Sequence, residues 1–473
     1  MYFFVCVALL VGGYTVYGAF VEKVFGMDHL RPTPVQQKAD GMDYVKMSGW
    51  KIFFIQLLNI AGLGPVFGPI VGALYGPAAL LWVVFGCIFA GATHDFLAGM
   101  MSLRYGGCSY PEIIGRNLGY GVRRFMEGFT VVFLILVGAV FVTGPAAILA
   151  SMTQYPLAFW SGVIFIYYIA ATVLPINVLI GRVYPFFAIL LLFMAFGLII
   201  ALPMQGYELL PNLAFSDFFH TTHPKGLPIW PGLFIVIACG AISGFHATQS
   251  PMMARCMSSE KYGRTFFYGA MIAEGVIALI WVTLGLSFYQ SPEALAAAGP
   301  APVVVKDISV KLLGTFGGIL AVLGVVVLPI STGDTAFRSA RMLLADIFKL
   351  NQGPFANRLM LAAPLFAIGI SLTFIDFNVI WRYFGWANQT MACVTLWACA
   401  VYLARRGRLH WVASLPAAFM TVVTTSFICN AKIGLNLPIF ASTLIGLIVA
   451  AALLALFIKN ADPLPAAHEE LQY

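Results

Sequence analysis

Residues 61–69, Ala61-Gly62-Leu63-Gly64-Pro65-Val66-Phe67-Gly68-Pro69, and residues 240–251, Gly240-Ala241-Ile242-Ser243-Gly244-Phe245-His246-Ala247-Thr248-Gln249-Ser250-Pro251, decide the reading of this chain. Each interrupts an apolar run, Trp50 to Tyr75 and Gly232 to Met257, that is otherwise long enough to span a bilayer as a helix. Pro65 and Pro69 remove backbone donors and the glycines lower the cost of non-helical angles, so the first helix does not run straight through. The second interruption adds hydroxyl, amide and imidazole groups. An unpaired N–H or C=O in hydrocarbon costs several kcal/mol unless it faces protein, water, an ion or a substrate. Two such breaks in matching places predict one central binding site, as in transporters. For either break alone, a kinked packing helix is the plainer alternative.

Composition removes whole classes of function. The 473 residues are 61% hydrophobic and 10% charged, with a mean hydropathy of +0.91, which excludes a soluble globular protein. Cysteines at positions 6, 87, 108, 239, 256, 393, 399 and 429 show no CxxC and no metal-type spacing with histidine, and read as packing residues. Met1 to Phe20 has no basic leader and no small-residue cleavage site, so it reads as a retained first helix. The net charge of +7 belongs with cytoplasmic loops rather than with nucleic acid.

The apolar runs predict an all-α polytopic membrane protein of about 13 transmembrane helices. With residues 21–49 in the cytoplasm, the basic residues fall inside except Lys225, Lys306, Lys311, Arg382 and Lys432. That bias puts the N-terminus outside and the C-terminus in the cytoplasm. The two broken helices then run in opposite directions, as in an inverted repeat. The chain divides into an N-terminal helix and loop (1–49), a first five-helix repeat (50–203) and an outside connection (204–231). A second five-helix repeat (232–402) and two C-terminal helices with a tail (403–473) complete the five-plus-five arrangement.

Ionisable residues inside a membrane are costly, which singles out Asp95, Glu274 and Asp334. Asp334, Arg338 and Arg341 share one helical face, as an internal ion pair or as a coupling site and inner gate. His246 lies inside the second break, where it suits a proton-coupled step or serves as a hydrogen-bonded core residue. The adjacent His94 and Asp95 read as a packed polar network with proton relay as the alternative. Gln56 and Asn59 precede the first break, and Ser243, Gly244 and Gln249 lie in the second; together they are candidate substrate contacts. The half-helix N-termini, at Gly64, Val66 and Phe67 and at Phe245 and His246, are expected to offer N–H groups to a carboxylate. A sodium ion held by carbonyls near Gly62 and the hydroxyls of Ser331 and Thr332 is the alternative to a proton. The amides of Asn388 and Gln389 read as helix-to-helix glue. No nucleophile with a base, phosphate loop or cofactor motif emerges, so no enzyme is expected.

Six stretches carry a family resemblance: DGMDYV (40–45), AGLGPVFGPIVGALYG (61–76), AGATHDF (90–96), SGFHA (243–247), DTAFRSAR (334–341) and FGWANQ (384–389). At these motifs the chain resembles the carbon starvation protein A (CstA) family of bacterial transporters. The resemblance implies a fold of the amino acid–polyamine–cation (APC) type in the bacterial inner membrane. It also implies import of short peptides or pyruvate-like carboxylates by proton symport with alternating access. A sodium-coupled carrier and a membrane nutrient sensor or channel are the alternatives. The chain departs from the longer members at His94, where glutamine is expected, and at Thr248 to Met252, where a more hydroxyl-rich run is expected. The implied partners are the lipid bilayer, a proton and a small substrate.

Overall fold

A long apolar segment can satisfy its backbone in hydrocarbon only as a helix, and every regular element among the described residues is helical. The computed structural model describes residues 2–40, 44–173, 176–210, 214–351 and 354–460, with 172, 173 and 176–185 described by backbone alone. Residues 41–43 of the DGMDYV motif and the tail beyond Asn460 lie outside the described residues. The main helices are α1 (Tyr2–Phe25), α2 (Gly49–Ile60), α3 (Gly64–Gly72) and α4 (Ala78–Arg104). There follow α5 (Tyr110–Leu118), α6 (Tyr120–Met152), α7 (Leu157–Val173) and α8 (Ile176–Met204). Then come α9 (Gly232–Val236), α10 (Gly244–Ala254), α11 (Glu260–Phe288) and α12 (Ala301–Phe348). The last four are α13 (Phe355–Leu372), α14 (Phe377–Arg405), α15 (Trp411–Asn430) and α16 (Ile439–Asn460). Among the described residues, nine helices are long and apolar enough to cross a membrane, or ten when the bent pair α2–α3 is one span.

Both interruptions exist. The axes of α2 and α3 differ by 47°. Ala61 N–H closes the last turn of α2 on Leu57 O (2.8 Å), and Val66 and Phe67 N–H open α3 on Leu63 O (3.1 and 2.8 Å). The second break separates α9 from α10, with Gly240 at φ +89°, a left-handed conformation that only glycine adopts cheaply. The breaks pack directly on each other. A Cβ at Gly64 would overlap Cys239, and one at Gly68 would lie 2.8 Å from Val236 O.

Residues 290–311, which the sequence reads as a connection, are largely helical. Pro292–Ala297 forms one turn of helix behind a Ser291 cap, and α12 starts at Ala301 rather than near 312. Gly314, at φ +69°, then interrupts α12, so a valine-rich arm precedes its long run. α12 lies along α6 and against α8, α3 packs on α11, and α10 is enclosed by α2, α4 and α14. Polarity is inverted relative to a soluble protein. Phe4, Phe316 and Phe440 are 64%, 78% and 79% exposed, whereas Gln56, Asn59, His94, Asp95, His246, Glu274, Asp334 and Asn388 are buried. Rings face lipid and polar groups face each other.

The contact between the breaks is testable. Gly68→Ala is expected to lower stability by about 1–3 kcal/mol through overpacking. Gly128→Ala, whose added Cβ meets no atom within 4 Å, is expected to be neutral or stabilising. Thermal unfolding of the purified protein in detergent separates the two.

Candidate functional site

Four helices converge on the second break. α4 carries His94 and Asp95, α10 carries His246, α11 carries Glu274 and α14 carries Asn388. Both α4 and α11 contain wide π-type turns, at Trp82–Gly91 and Arg264–Tyr268, a distortion that often marks functional sites. Asp95 is fully enclosed and lies 2.8 Å from two histidines, with Oδ1 to His94 Nδ1 and Oδ2 to His246 Nδ1. An ionised carboxylate only accepts, so each Nδ1 carries the donated proton. His246 Nε2 faces Glu274 Oε2 at 3.3 Å. Residues 151 positions apart in sequence thus form one buried polar cluster.

The amide of Asn388 closes the end of α10. Its Oδ1 accepts from Phe245 N–H at 2.8 Å and from Ser243 Oγ at 3.1 Å, and its Nδ2 lies 3.7 Å from Cys239 Sγ. Gln389 Nε2 donates to Phe234 O at 3.0 Å, on the other side of the same break. These two amides supply side-chain partners to backbone that the helix no longer serves. The half-helix N–H groups therefore stand differently from the sequence expectation. Val66 and Phe67 donate to Leu63 O, Phe245 to Asn388 and His246 to Ser243 O (3.3 Å), so these four N–H groups are already paired and do not await a carboxylate.

Other predicted contacts do lie at the junction of the breaks. Gln56 Nε2 donates to Ser250 Oγ at 3.4 Å, tying α2 to α10. Gln56 Oε1, both amide atoms of Asn59 and Gln249 Oε1 have no hydrogen-bond partner among the described residues, although all three side chains are buried. Unfilled buried amides are rare and call for a reason. Thr332 Oγ1 donates to Leu328 O at 3.0 Å and reaches Leu58 O, in the last turn of α2, at 3.4 Å, while Ser331 Oγ donates to Leu328 O at 2.7 Å.

Asp334 and Arg338 form a second, separate group on α12. Their closest approach is 3.6 Å, from Arg338 Nη2 to Asp334 Oδ2, and the same Nη2 donates to Ala171 O at 2.8 Å. Neither Asp334 oxygen nor Arg338 Nε has a hydrogen-bond partner among the described residues. Arg341 is buried one turn further along. Arg338 lines a cavity of about 90 Å³, together with Tyr110, Thr130, Thr248, Arg255 and Asp346. The cavity thus touches both α10, beyond the break, and α12.

The pair Arg104–Glu260 has no counterpart in the sequence reading. Arg104 Nε and Nη2 meet the two Glu260 oxygens at 3.0 and 2.9 Å, Nη2 also reaches Gly26 O at 2.7 Å, and Asp28 N–H donates to Glu260 at 2.9 Å. This ties the ends of α1 and α4 to the start of α11. Sequence reasoning passed over Cys239 as packing and read Asn388 only as glue. The available signal was position, since Cys239 stands seven residues before His246 across the break.

Comparison with known proteins agrees with this architecture. The family model described as carbon starvation protein CstA matches residues 1–161, 142–306 and 288–427. An uncharacterised membrane protein of Haemophilus influenzae is 45% identical, over 63% of this chain and 94% of its own length. The peptide transporter CstA of Escherichia coli is 25% identical, over 91% of this chain and 81% of its own. The pyruvate/proton symporter BtsT of E. coli is 26% identical, over 58% of this chain and 47% of its own. Among solved structures, the Eremococcus coleocola manganese transporter superposes with a TM-score of 0.51 at 13% identity, covering 89% of this chain and 97% of that one, a likeness of fold.

Asn388→Ala is expected to destabilise the protein by about 1–3 kcal/mol, because it strands the Phe245 N–H and the Ser243 hydroxyl in a dry interior. Asn388→Asp keeps both acceptor contacts and places negative charge at a helix N-terminus, so its loss should be smaller. The ranking is read from melting temperatures of the two variants beside the unchanged protein.

Proposed function

We propose, from the premise that this chain belongs to the carbon starvation protein CstA family, that it is a secondary active carrier importing a small carboxylate nutrient, a short peptide or a pyruvate-like acid, by proton symport. The chain is a multi-pass membrane transporter rather than an enzyme, as its family and relatives are. In this reading it crosses the bacterial inner membrane in about 13 spans. The N-terminus lies outside, and a five-plus-five inverted repeat of the APC type sets the two breaks face to face at the midplane.

One observation carries the reading: the unfilled amide oxygens of Gln56 and Gln249 and the wholly unfilled amide of Asn59, buried where α2 and α10 meet. Polar groups held in this way serve a guest that is present for part of a cycle, because hydrogen bonds to a substrate replace those the protein does not make itself. The cavity beside Arg338 supplies the inward route, with Thr248 of α10 on one wall and α12 on another.

Coupling follows from Asp334 and Arg338. While Asp334 is ionised, its charge holds the guanidinium 3.6 Å away. Protonation removes that attraction, and Arg338 becomes free to receive the carboxylate of the substrate. On the inner side the proton leaves, Asp334 reclaims Arg338, and the substrate is released. One proton moving with one monocarboxylate transfers no net charge, so the cycle responds to a pH gradient more than to voltage. Arg341 and the ion pair together form the inner gate, and rocking of the bundle that carries the breaks gives alternating access.

In proteoliposomes, pyruvate or dialanine accumulation is expected to be driven by an inward proton gradient and to ignore sodium. Asp334→Asn should abolish gradient-driven accumulation, by at least about tenfold, a factor worth about 1.4 kcal/mol of driving energy, while counterflow exchange continues. Accumulation by Asp334→Asn at the original rate would remove Asp334 from the coupling step. Sodium-dependent uptake would replace the proton with sodium.

A further inference from the structure

The cycle above leaves one buried cluster without a task. Cys239, His246 and Glu274 are enclosed, and their Sγ, ring nitrogen and carboxylate oxygen all lie within 4.8 Å of one another. Asp95 takes up Nδ1 of His246 at 2.8 Å, so the other ring nitrogen, Nε2, is the one turned toward Glu274 Oε2, 3.3 Å away, and in the neutral ring it offers a lone pair there. Neither Nε2 nor either oxygen of Glu274 has a hydrogen-bond partner among the described residues. Two acceptors facing each other in a low-dielectric interior repel unless a proton or a metal ion stands between them.

The geometry points to a divalent transition-metal site made by Cys239, His246 and Glu274. Ligands bound about 2.0–2.3 Å from a tetrahedral metal are about 3.3–3.8 Å apart. The His246–Glu274 separation of 3.3 Å already has that length, and Cys239 needs only a small approach. A sulfur, nitrogen and oxygen set selects ions of the Zn²⁺ or Co²⁺ kind over Mg²⁺ or Ca²⁺, which prefer oxygen alone. The carboxylate on the far nitrogen of His246 is the arrangement that orients metal-binding histidines. A dication balances the two negative charges it would meet directly, the Glu274 carboxylate and the Cys239 thiolate. Binding expels the thiol proton of Cys239 to solvent and forms a metal–thiolate bond, with no change of oxidation state. Cys239 precedes the second break and His246 follows it, so the ion clasps the two sides of the interruption and joins them to α11.

The test is titration of the full chain, purified in detergent with a phosphine reductant and stripped with chelator, using Co²⁺ alone. The expected result is one Co²⁺ per chain, a thiolate-to-cobalt charge-transfer band and a raised melting temperature. Cys239→Ser should abolish the band, and Glu274→Gln should weaken binding at least tenfold while both variants remain monodisperse. If either variant fails to fold, Cys239→Ala and Glu274→Asp replace it, with the same expected losses. No saturable binding by the unchanged chain, or a band and affinity unaltered in folded variants, would overturn the site. Neither outcome bears on Asp334, whose coupling role is read by transport alone.

Discussion

The governing constraint is that a helix may be broken inside a membrane only if the backbone released by the break finds other partners. At the second break this work falls to two neighbouring amides, of which Asn388 serves Phe245 N–H and the Ser243 hydroxyl from a helix far along the chain. Its neighbour Gln389 reaches back to Phe234 O before the gap. Because these contacts cross from α14 to both sides of the break, α14 and the broken helix form one mechanical unit. The glycines at 64 and 68 complete that unit by letting the first break come within contact of the second. Close approach and amide bridging are two parts of one solution: without the first, the polar backbone would face lipid or water, and without the second it would face nothing.

Charge is handled in three different ways in the same interior. Arg104 and Glu260 form a bidentate pair with additional backbone contacts, the kind of full satisfaction that makes a buried ion pair tolerable. Asp95 is saturated by two histidines. Asp334 and Arg338, by contrast, stand 3.6 Å apart with donors and acceptors left over. A tightly satisfied pair resists change and suits an anchor, whereas a loose pair changes partner at little cost. The division of labour in the proposed cycle follows from that difference.

Much of this was legible from sequence because proline, glycine and a long apolar run are local signals. The two breaks and the buried carboxylates follow from residue types at fixed places. The partnership of Asp95 with His246 and Glu274 did not, since it depends on how α4, α10 and α11 pack, which hydropathy does not encode. The same holds for Arg104 and Glu260, which hydropathy assigns simply to helix ends. The half-helix N–H groups were misjudged for a related reason: the acceptor that fills one of them sits 143 residues away, on Asn388. The start of α12 was placed late because prolines at 300 and 302 resemble a loop, although proline in the first turn of a helix is compatible with it.

All eight cysteines of the chain are buried thiols. A membrane-permeant alkylating reagent therefore meets no exposed thiol while the helices stay packed. Cys239 lies against Gly64, at the seam where the two breaks touch. Its rate of modification consequently measures how often that seam parts, so the native chain carries a clock for its own opening and needs no foreign label to read it.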